Sequence, residues 1–581
     1  MRIRYLIATV FLFVSLTACG TVTSEPDPSS SSFTEFTDEL FRSQSSSDSL
    51  TLGYTLAKPE NFGITDLPDG FSSFSYEDLK KEALSLENLL ATLHQFDKNS
   101  LSFDQQVLYD TLEETLELDI QKQNYIAFSE SFGPTTGIQA QLPVLLAEFR
   151  MEDKNDLTQY FSLLKTVPDY FDSLLSVEEK KSSLGTLPCR STLRNILAQC
   201  NQFLSDSGTN VLLNTFQKKI TGCSFLSQTE KKEAIIQNKT YVKTYIQPAY
   251  QSLCAGLTRL LSLAGEEGSL SQYPNGKEYY QHLVRRTTGS SLSLSELQAL
   301  MTERLRRAQT TLLQYAAKNP SLFSTCQSYV VRYSSPDVIL SYLQKQIAED
   351  FPVCGDTSYE VKYVDESLED YLSPAFYLTP PVDDSTANVI YINGSDKYDR
   401  TTLFNTLAHE GYPGHLYQTC YMHGKNLPML RYALDYGGYT EGWATYAEIY
   451  SYKYTGISKG EVGILRNNMV ASLCLYGLCD IGVHYENWDE DKIKNFLNQY
   501  GSYSQKTAAS IYSAIVDEPA SYLKYTVGYL EIDRLKSTMK EMLNTGFTEK
   551  IFHTYLLDMG PTSFDILKHY ISDWYAQNGC K

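Results

Sequence analysis

Helical periodicity constrains the fold of this chain more than any other feature. Apolar residues recur at three- and four-residue steps through six long segments, which predicts amphipathic helices that each bury one face. The six segments are 76–93, 104–119, 157–175, 191–204, 229–264 and 295–316. Helical patterns resume from Asp399 and continue to the C-terminus. The sequence therefore predicts a mainly α fold.

Strand signals are confined to a short region that precedes position 400. Residues 359–364 alternate in polarity, and residues 388–393 form a β-rich run bounded by polar residues. Pro380 and Pro381 favour a turn or a sheet edge before the second run. We expect a small sheet. If the strand 388–393 lies at its edge beside a cleft, the free backbone groups of the strand would pair with an extended peptide. An ordinary buried strand is the open alternative.

The chain has 581 residues and exceeds the usual size of a single domain. Residues 33–581 nevertheless contain no low-complexity linker and no repeat of fixed period. We predict one domain over this range, divided at most into two lobes of about 33–350 and 351–581. The net charge of −20 argues against a nucleic-acid partner, because phosphates would be repelled.

The N-terminus has the pattern of an export signal. Arg2 and Arg4 precede the apolar run 5–16, which is too short for a mature membrane span. The run ends in Leu-Thr-Ala before Cys19, as in bacterial lipoprotein signals. We predict a signal peptide over 1–18, a lipid on Cys19, a flexible tether over 20–32 and anchorage at the outer face of the cell membrane. An ordinary secretory signal with an incidental cysteine is the alternative.

Ten cysteines follow Cys19, at positions 189, 200, 223, 254, 326, 354, 420, 474, 479 and 580. None forms a Cys-x-x-Cys pair, which argues against a cysteine-ligated zinc site. In an exported protein some of them can form disulfides, but the sequence does not give the pairing.

Residues 409–415 read HEGYPGH and carry the side chains of a metal centre. In a zincin helix, two histidines four residues apart bind zinc from one face, and the glutamate beside the first polarises the bound water. Here Pro413 takes the place of the second histidine, and His415 follows two residues later. Six residues rotate an ideal helix by about 240°, which would point His415 away from His409. The simple zincin spacing is therefore not met.

Pro413 and Gly414 suggest how His415 returns to the metal. Proline cannot donate to the carbonyl four residues earlier and crowds it, so the helix is expected to distort there. Glycine tolerates the unusual dihedral angles that follow. We predict a local bulge in a bent helix, which absorbs two extra residues and brings His415 back to the side of His409.

A third ligand is expected from a second helix. Residues 437–440 look like a loop and cap, and Glu441 then opens a helical pattern. Glu441, Thr445 and Glu448 share one face at i, i+4 and i+7. Glu441 would complete a zinc site of two histidines and one glutamate, with a position left open for water. Glu448 would hydrogen-bond to a ligand histidine through the ring nitrogen that does not bind the metal.

These motifs resemble those of the bacterial domain-of-unknown-function family 885, a group related to the gluzincin zinc metallopeptidases. The family's H-E-x-x-P-G-H pattern matches 409–415, and its E-G-W-A-x-Y-x-E pattern matches 441–448. Further similarity covers the strand region 375–393, the segment Gly482-Val483-His484 with Trp488, and Pro519 with Tyr525 and Gly528. The match extends over most of the chain and is strongest from about 370 to 536.

The resemblance implies a largely helical body with a deep cleft. It implies Zn²⁺ held by His409, His415 and Glu441, with Glu410 as the general base. The expected activity is hydrolysis of peptides outside the cell.

A tetrahedral oxyanion needs hydrogen-bond donors beyond the metal. Tyr525 and His484 are the catalytic candidates for this role. Both fall in segments that resemble the family.

Three other functions remain open on the same residues. A metal-dependent amidohydrolase acting on a non-peptide amide would use the same ligands. A non-catalytic surface binding lipoprotein would keep the fold but would have no need of Glu410. A metal-free glycosidase would use paired carboxylates such as Glu441 and Glu448, and leaves His409 and His415 unexplained. The sequence does not give cleavage specificity or oligomeric state.

Overall fold

Helices make up 72% of the described residues and strands 3%, which confirms the predicted mainly α fold. The structure, a computed structural model, describes residues 30–129, 131–266, 268–327, 335–355, 357–364, 369, 373–395 and 403–578. The predicted signal peptide, Cys19 and most of the tether lie outside the described residues. The first helix begins at Ser30, so it overlaps the last three residues of the predicted tether.

Fourteen helices precede the sheet in the described part of the chain. They are α1 (Ser30–Ser45), α2 (Ser49–Thr55), α3 (Tyr76–Leu93), α4 (Phe103–Lys122), α5 (Ile138–Glu148), α6 (Lys154–Leu184), α7 (Arg190–Leu204), α8 (Asp206–Gly222), α9 (Gln228–Tyr241), α10 (Gln247–Leu261), α11 (Gly276–Thr288), α12 (Leu294–Lys318), α13 (Ser321–Gln327) and α14 (Pro336–Gln346).

Capping boxes set the starts of several predicted helices. At α3, the Ser75 side chain accepts from the Asp78 backbone N–H, and the Asp78 carboxylate accepts from the Ser75 backbone N–H. Ser293 and Glu296 form the same reciprocal pair at α12. Each box satisfies two backbone donors that would otherwise lack partners at the helix start, so local sequence is sufficient to begin these helices.

Eleven helices follow the sheet in the described residues. They are α15 (Leu403–Glu410), α16 (His415–His423), α17 (Leu430–Ala433), α18 (Gly437–Ser451), α19 (Lys459–His484), α20 (Glu490–Leu497), α21 (Gln505–Asp517), α22 (Ser521–Leu543), α23 (Glu549–Met559), α24 (Phe564–His569) and α25 (Ile571–Asn578). The closely packed pair α18 and α22 supplies much of the candidate site.

The sheet has three strands, β1 (Tyr359–Tyr363), β2 (Ala375–Leu378) and β3 (Asn388–Ile392), in the order β1-β3-β2. β3 is parallel to β1 and antiparallel to β2. The prediction that 388–393 is an edge strand open to a peptide is therefore wrong. Its backbone groups are already paired on both sides, and β2, which the strand signals missed, occupies an edge.

The sheet lies between two large clusters of buried side chains. One cluster includes residues of α11, α12, α14 and the helices after the sheet, and the other is built mainly from α5 to α10. Tyr377 and Ile390 join the first cluster, whereas Phe376 and Tyr391 join the second. Because successive strand residues point to opposite faces, the two faces of this small sheet serve different cores.

Helix α19 is long and apolar enough to cross a membrane, and it alone passes that test among the described residues. It packs closely against α12 and α22 and carries the completely buried Asp480. These contacts are those of a core helix.

Candidate metal centre

Helix α15 ends with His409 and Glu410, and both side chains are buried. The helix packs against α14 and against the edge strand β2. The backbone N–H of Tyr377 in β2 donates to Oε2 of Glu410 at 3.1 Å. The strand that the sequence signals missed therefore helps to orient the carboxylate of the candidate base.

The chain between the two histidines forms a tight turn. Helix α15 ends at Glu410, and α16 begins at His415, with a cis peptide bond between Tyr412 and Pro413 in the turn. The predicted bulge within one bent helix is therefore wrong, because the proline ends the first helix and a second one follows. The turn nevertheless brings His415 back to the side of His409, as the bulge was expected to do. The centres of the two imidazole rings lie 4.9 Å apart.

Gly414 lies where the turn folds back on the end of α15. A Cβ atom at this position would lie 1.7 Å from the carbonyl oxygen of His409 and 2.6 Å from that of Ala408. No side chain fits into this space. The carbonyl of Gly414 then accepts from the backbone N–H of Gln418 in α16. Glycine is thus required by the close approach of two backbone segments.

Trp443 in α18 holds the same turn from the opposite side. Its indole Nε1–H donates to the carbonyl oxygen of Pro413 at 3.0 Å, and the side chain is completely buried. The sequence analysis assigned no role to Trp443. The structure shows that it connects the two motifs, since it fixes the turn that directs His415.

Glu441 lies one turn inside α18 and is completely buried. The helix begins at Gly437, so the predicted loop and cap over 437–440 is wrong. Two consecutive glycines are poor helix formers, which is why the sequence pattern favoured a loop. Tertiary contacts of this first turn outweigh the low propensity.

Glycines allow α18 to pack closely against its neighbours. A Cβ at Gly438 would lie 1.9 Å from the carbonyl oxygen of Thr288 in α11, and one at Gly442 would lie 2.5 Å from the carbonyl carbon of Gly528 in α22. This near contact of helix backbones brings Glu441 of α18 within hydrogen-bond distance of α22.

Three ligand atoms converge at this place. Oε2 of Glu441 lies 3.3 Å from Nε2 of His409 and 3.4 Å from Nε2 of His415. One ligand atom from each residue lies within 4.8 Å of the others. At these separations Oε2 makes no well-directed hydrogen bond, although it is fully buried. A buried carboxylate oxygen that faces two imidazole nitrogens and makes no hydrogen bond is a candidate metal ligand.

The two distances to Oε2 of Glu441 and the donor types of the cluster are compatible with zinc. Tetrahedral zinc with bonds of about 2.0–2.1 Å holds neighbouring ligand atoms about 3.3 Å apart. Two imidazoles and one carboxylate form a donor set that leaves a fourth position open. His409, His415 and Glu441 are therefore the residues that would hold the ion.

The same contacts shift the pKa values of the cluster. Burial opposes a charge on His409, but Glu441 and Glu448 outweigh it and raise the pKa of His409 to about 10. Burial likewise works against ionisation of Glu441, but the facing imidazoles of His409 and His415 hold its pKa well below the usual range. The carboxylates of Glu441 and Glu448 thus stabilise a positive charge at His409.

Glu448 contacts His409 from the side away from Glu441. Its Oε2 lies 3.2 Å from Nδ1 of His409, two turns along α18 from Glu441. This contact orients the ring so that Nε2 faces the cluster, as a carboxylate behind a ligand histidine does. The structure therefore places Glu448 where the helical spacing put it.

Replacing Glu448 by Gln is expected to weaken zinc binding by about 10- to 100-fold, because the amide stabilises the Nδ1–H of His409 less than a carboxylate does. Competition with a chromophoric chelator measures the affinity. Glu233→Gln, at an exposed position of α9, is the control and should bind zinc like the parent protein. An unchanged affinity in Glu448→Gln would show that this contact does not tune the site.

Tyr525 in α22 reaches the cluster as well. Its hydroxyl donates to Oε1 of Glu441 at 2.8 Å, and its ring centre lies 6.4 Å from that of His409. This hydrogen bond engages one oxygen of Glu441 and leaves Oε2 facing the imidazoles. The structure thus brings Tyr525 to the candidate centre, and its role toward an oxyanion stays a prediction.

His484 does not belong to the site, contrary to the sequence-based expectation. The side chain is completely buried in α19; Nε2 donates to the carbonyl of Ile515 at 2.9 Å, and Nδ1 accepts from the backbone N–H of Leu270 at 3.3 Å. Burial lowers the pKa of His484 to about 4. Both nitrogens serve the protein backbone, so the assignment of His484 to catalysis is corrected to a core histidine.

Asp480, one turn before His484, is a completely buried acid. Tyr280 donates to its Oδ1, as does the backbone N–H of Ala520, and Oδ2 makes no hydrogen bond among the described residues. Burial outweighs these donors and raises the pKa of Asp480 to about 7.

The parent protein is expected to lose stability as pH rises, because Asp480 must ionise in the folded core. The variant Asp480→Asn carries no such group and is expected not to show this loss. The folded state keeps the Asp480 proton up to about pH 7, whereas the unfolded chain releases it near pH 3.8. Stability from this group is therefore lost between these values. Urea unfolding of both proteins at pH 5 and pH 8 measures the effect, and the variant should gain relative to the parent at pH 8. An equal difference at both pH values would contradict the prediction.

The fold and the cluster together define a mainly helical protein with a candidate centre of two histidines and one glutamate. The chain belongs to the family described as bacterial protein of unknown function, DUF885, whose model matches residues 59–571. Membership agrees with the resemblance of the two motifs.

Solved structures that share the fold include two bacterial proteins. A protein from Colwellia psychrerythraea described as a lipoprotein has a TM-score of 0.80 at 19% identity, with 94% of this chain and 98% of that one covered. A protein from Shewanella oneidensis described as a lipoprotein of unknown function has a TM-score of 0.65 at 16% identity, with 94% and 100% covered. Comparison with curated proteins finds no match.

Proposed function

We propose that this protein is a zinc-dependent hydrolase that cleaves peptides. The observation that carries the proposal is the convergence of His409, His415 and Glu441, in which Oε2 of Glu441 lies 3.3 and 3.4 Å from the two imidazole nitrogens, near the separation of ligand atoms on tetrahedral zinc. Glu410 follows the first ligand directly and is oriented by the backbone of β2. A purely structural zinc site would need no such carboxylate.

Each residue has a distinct part in the proposed reaction. Zinc, when bound, supplies Lewis-acid polarisation of water and of the substrate carbonyl. Glu410 accepts a proton from the attacking water and passes it to the leaving amine. Tyr525 holds Oε1 of Glu441, and Glu448 holds Nδ1 of His409, so both ligands are fixed before substrate arrives. Such preorganised contacts keep the geometry constant through the reaction.

We further propose that the protein acts outside the cell and is anchored by lipid on Cys19 to the outer face of the cell membrane. The support is the basic and apolar N-terminus that ends at this cysteine. The two proteins of the same fold described as lipoproteins agree with this location. The short apolar run is expected to be removed with the signal peptide.

A peptide library read by mass spectrometry, together with zinc analysis, tests the proposed function. The purified chain should contain stoichiometric zinc and should cleave library peptides in a manner that a chelator stops and added zinc restores. A panel of non-peptide amides run in parallel separates peptidase from amidohydrolase activity. A chain that takes up no stoichiometric zinc would refute the metal centre; one that binds zinc but cuts no peptide would refute the peptidase.

A further inference from the structure

Two cysteines lie against each other in the helical region before the sheet, in a part of the chain that contributes nothing to the candidate metal centre. Cys200 in α7 is completely buried, and Cys254 in α10 is half-buried, where these two helices pack together. Sγ of Cys254 lies 4.0 Å from Oδ1 of Asn201, the residue that follows Cys200. The two thiols lie close enough for each to shift the pKa of the other. The packing of α7 against α10 thus gives each of these two thiols the other as its neighbour.

We propose that Cys200 and Cys254 are an oxidation site that forms a disulfide between α7 and α10 in the exported protein. Disulfides form and persist in oxidising compartments outside the cytosol. The proposal rests on the proposed export of the protein, but it does not depend on zinc or on hydrolysis.

The surroundings of the two thiols give the order of the reaction. Cys254 is half-buried and partly accessible to a dissolved oxidant, whereas Cys200 is completely buried. Cys254 is therefore the attacking thiolate, and Cys200 is the thiol that completes the bond.

The oxidant is a disulfide, either that of an exported thiol-disulfide oxidoreductase or that of a small molecule. The Cys254 thiolate attacks one sulfur of this disulfide, which forms a mixed disulfide and releases the first oxidant thiol. Cys200 then loses its proton and attacks Sγ of Cys254, which releases the second oxidant thiol. Two cysteine thiols are oxidised to one disulfide, and one oxidant disulfide is reduced to two thiols.

The bond would join the ends of a segment that contains α8 and α9. Crosslinking across this segment restricts the unfolded chain more than the folded one, which stabilises the fold. Both cysteines belong to or pack against the core cluster built from α5 to α10. The expected consequence is a redox-dependent melting temperature of the helical region.

Non-reducing peptide mapping of the full chain tests the pairing. After incubation with oxidised glutathione, free thiols are blocked with N-ethylmaleimide, and the digest is analysed before and after reduction. A peptide pair joined through Cys200 and Cys254 and released by reductant is the expected result. Finding both cysteines blocked as free thiols, or Cys200 joined to another cysteine, would overturn the proposal.

Melting curves give a second readout with a matched control. The oxidised parent protein should melt several degrees above its reduced form, and Cys254→Ser should lose this difference. Cys223→Ser alters another half-buried cysteine and should keep it. A redox shift that persists in Cys254→Ser, or that is absent from the parent, would rule out a stabilising bond at this pair.

Discussion

Glu410→Gln is expected to retain stoichiometric zinc and to lose peptide hydrolysis by about 10²- to 10⁴-fold, the usual contribution of a general base. Glutamine has nearly the same shape as glutamate, and its side-chain oxygen can still accept from the backbone N–H of Tyr377. The amide, however, has no useful affinity for a proton. Zinc is expected to stay, because the proposed ligands are His409, His415 and Glu441 and do not include Glu410.

The measurement needs two readouts on the same sample. Zinc content is determined by elemental analysis, and the rate is measured on the peptide that the parent protein cleaves fastest. Glu233→Gln, an exposed glutamate of α9, serves as the matched control and should keep both zinc and rate. Retained hydrolysis in Glu410→Gln would exclude Glu410 as the base, and loss of zinc would mean that it supports the site instead.

Gly414→Ala is expected to abolish stoichiometric zinc binding. The new Cβ would lie 1.7 Å from the carbonyl oxygen of His409, which is far shorter than any contact between non-bonded atoms. The turn has to move, and it carries His415 at its far end. Relief of this clash is expected to cost at least about 1–3 kcal/mol of stability, as overpacking of a dense interior does. His415 then no longer meets Nε2 of His409 and Oε2 of Glu441.

Gly222→Ala provides the matched control, because a Cβ at that glycine meets no atom within 4 Å. It should bind zinc and unfold like the parent protein. Cobalt absorption in place of zinc reports the ligand geometry directly, and urea unfolding reports stability. A Gly414→Ala protein with full zinc content and parental stability would show that the turn is not needed to place His415.

Local patterns predicted much of the helical body. The segment 76–93 forms α3 over those residues, because apolar spacing defines its buried face and the box at Ser75 defines its start. The segment 295–316 lies within α12 for the same reasons. Both signals act over a few residues, so they can be read without knowledge of the fold.

Other features depend on residues far apart in the chain. Whether β3 lies at an edge or in the centre depends on β1 and β2, and its own residues carry no such information. Gly437 and Gly438 have a low helix propensity, yet they form the first turn of α18, where Gly438 packs against the backbone of Thr288. The residue type of His484 does not tell whether the side chain lies in the core or in a cleft. Only its hydrogen bonds to the backbone of Ile515 and Leu270 show that it lies in the core.

The sequence by itself determined the helical class and the residue types of the candidate centre, namely His409, Glu410, His415 and Glu441. Side-chain chemistry and short-range periodicity are properties of the local chain. Only the tertiary structure decided how these residues meet: a turn fixed by Trp443 replaces the bent helix, and close glycine packing brings α18 against α22. The reason is that convergence of distant side chains arises from packing between elements, which no local pattern encodes.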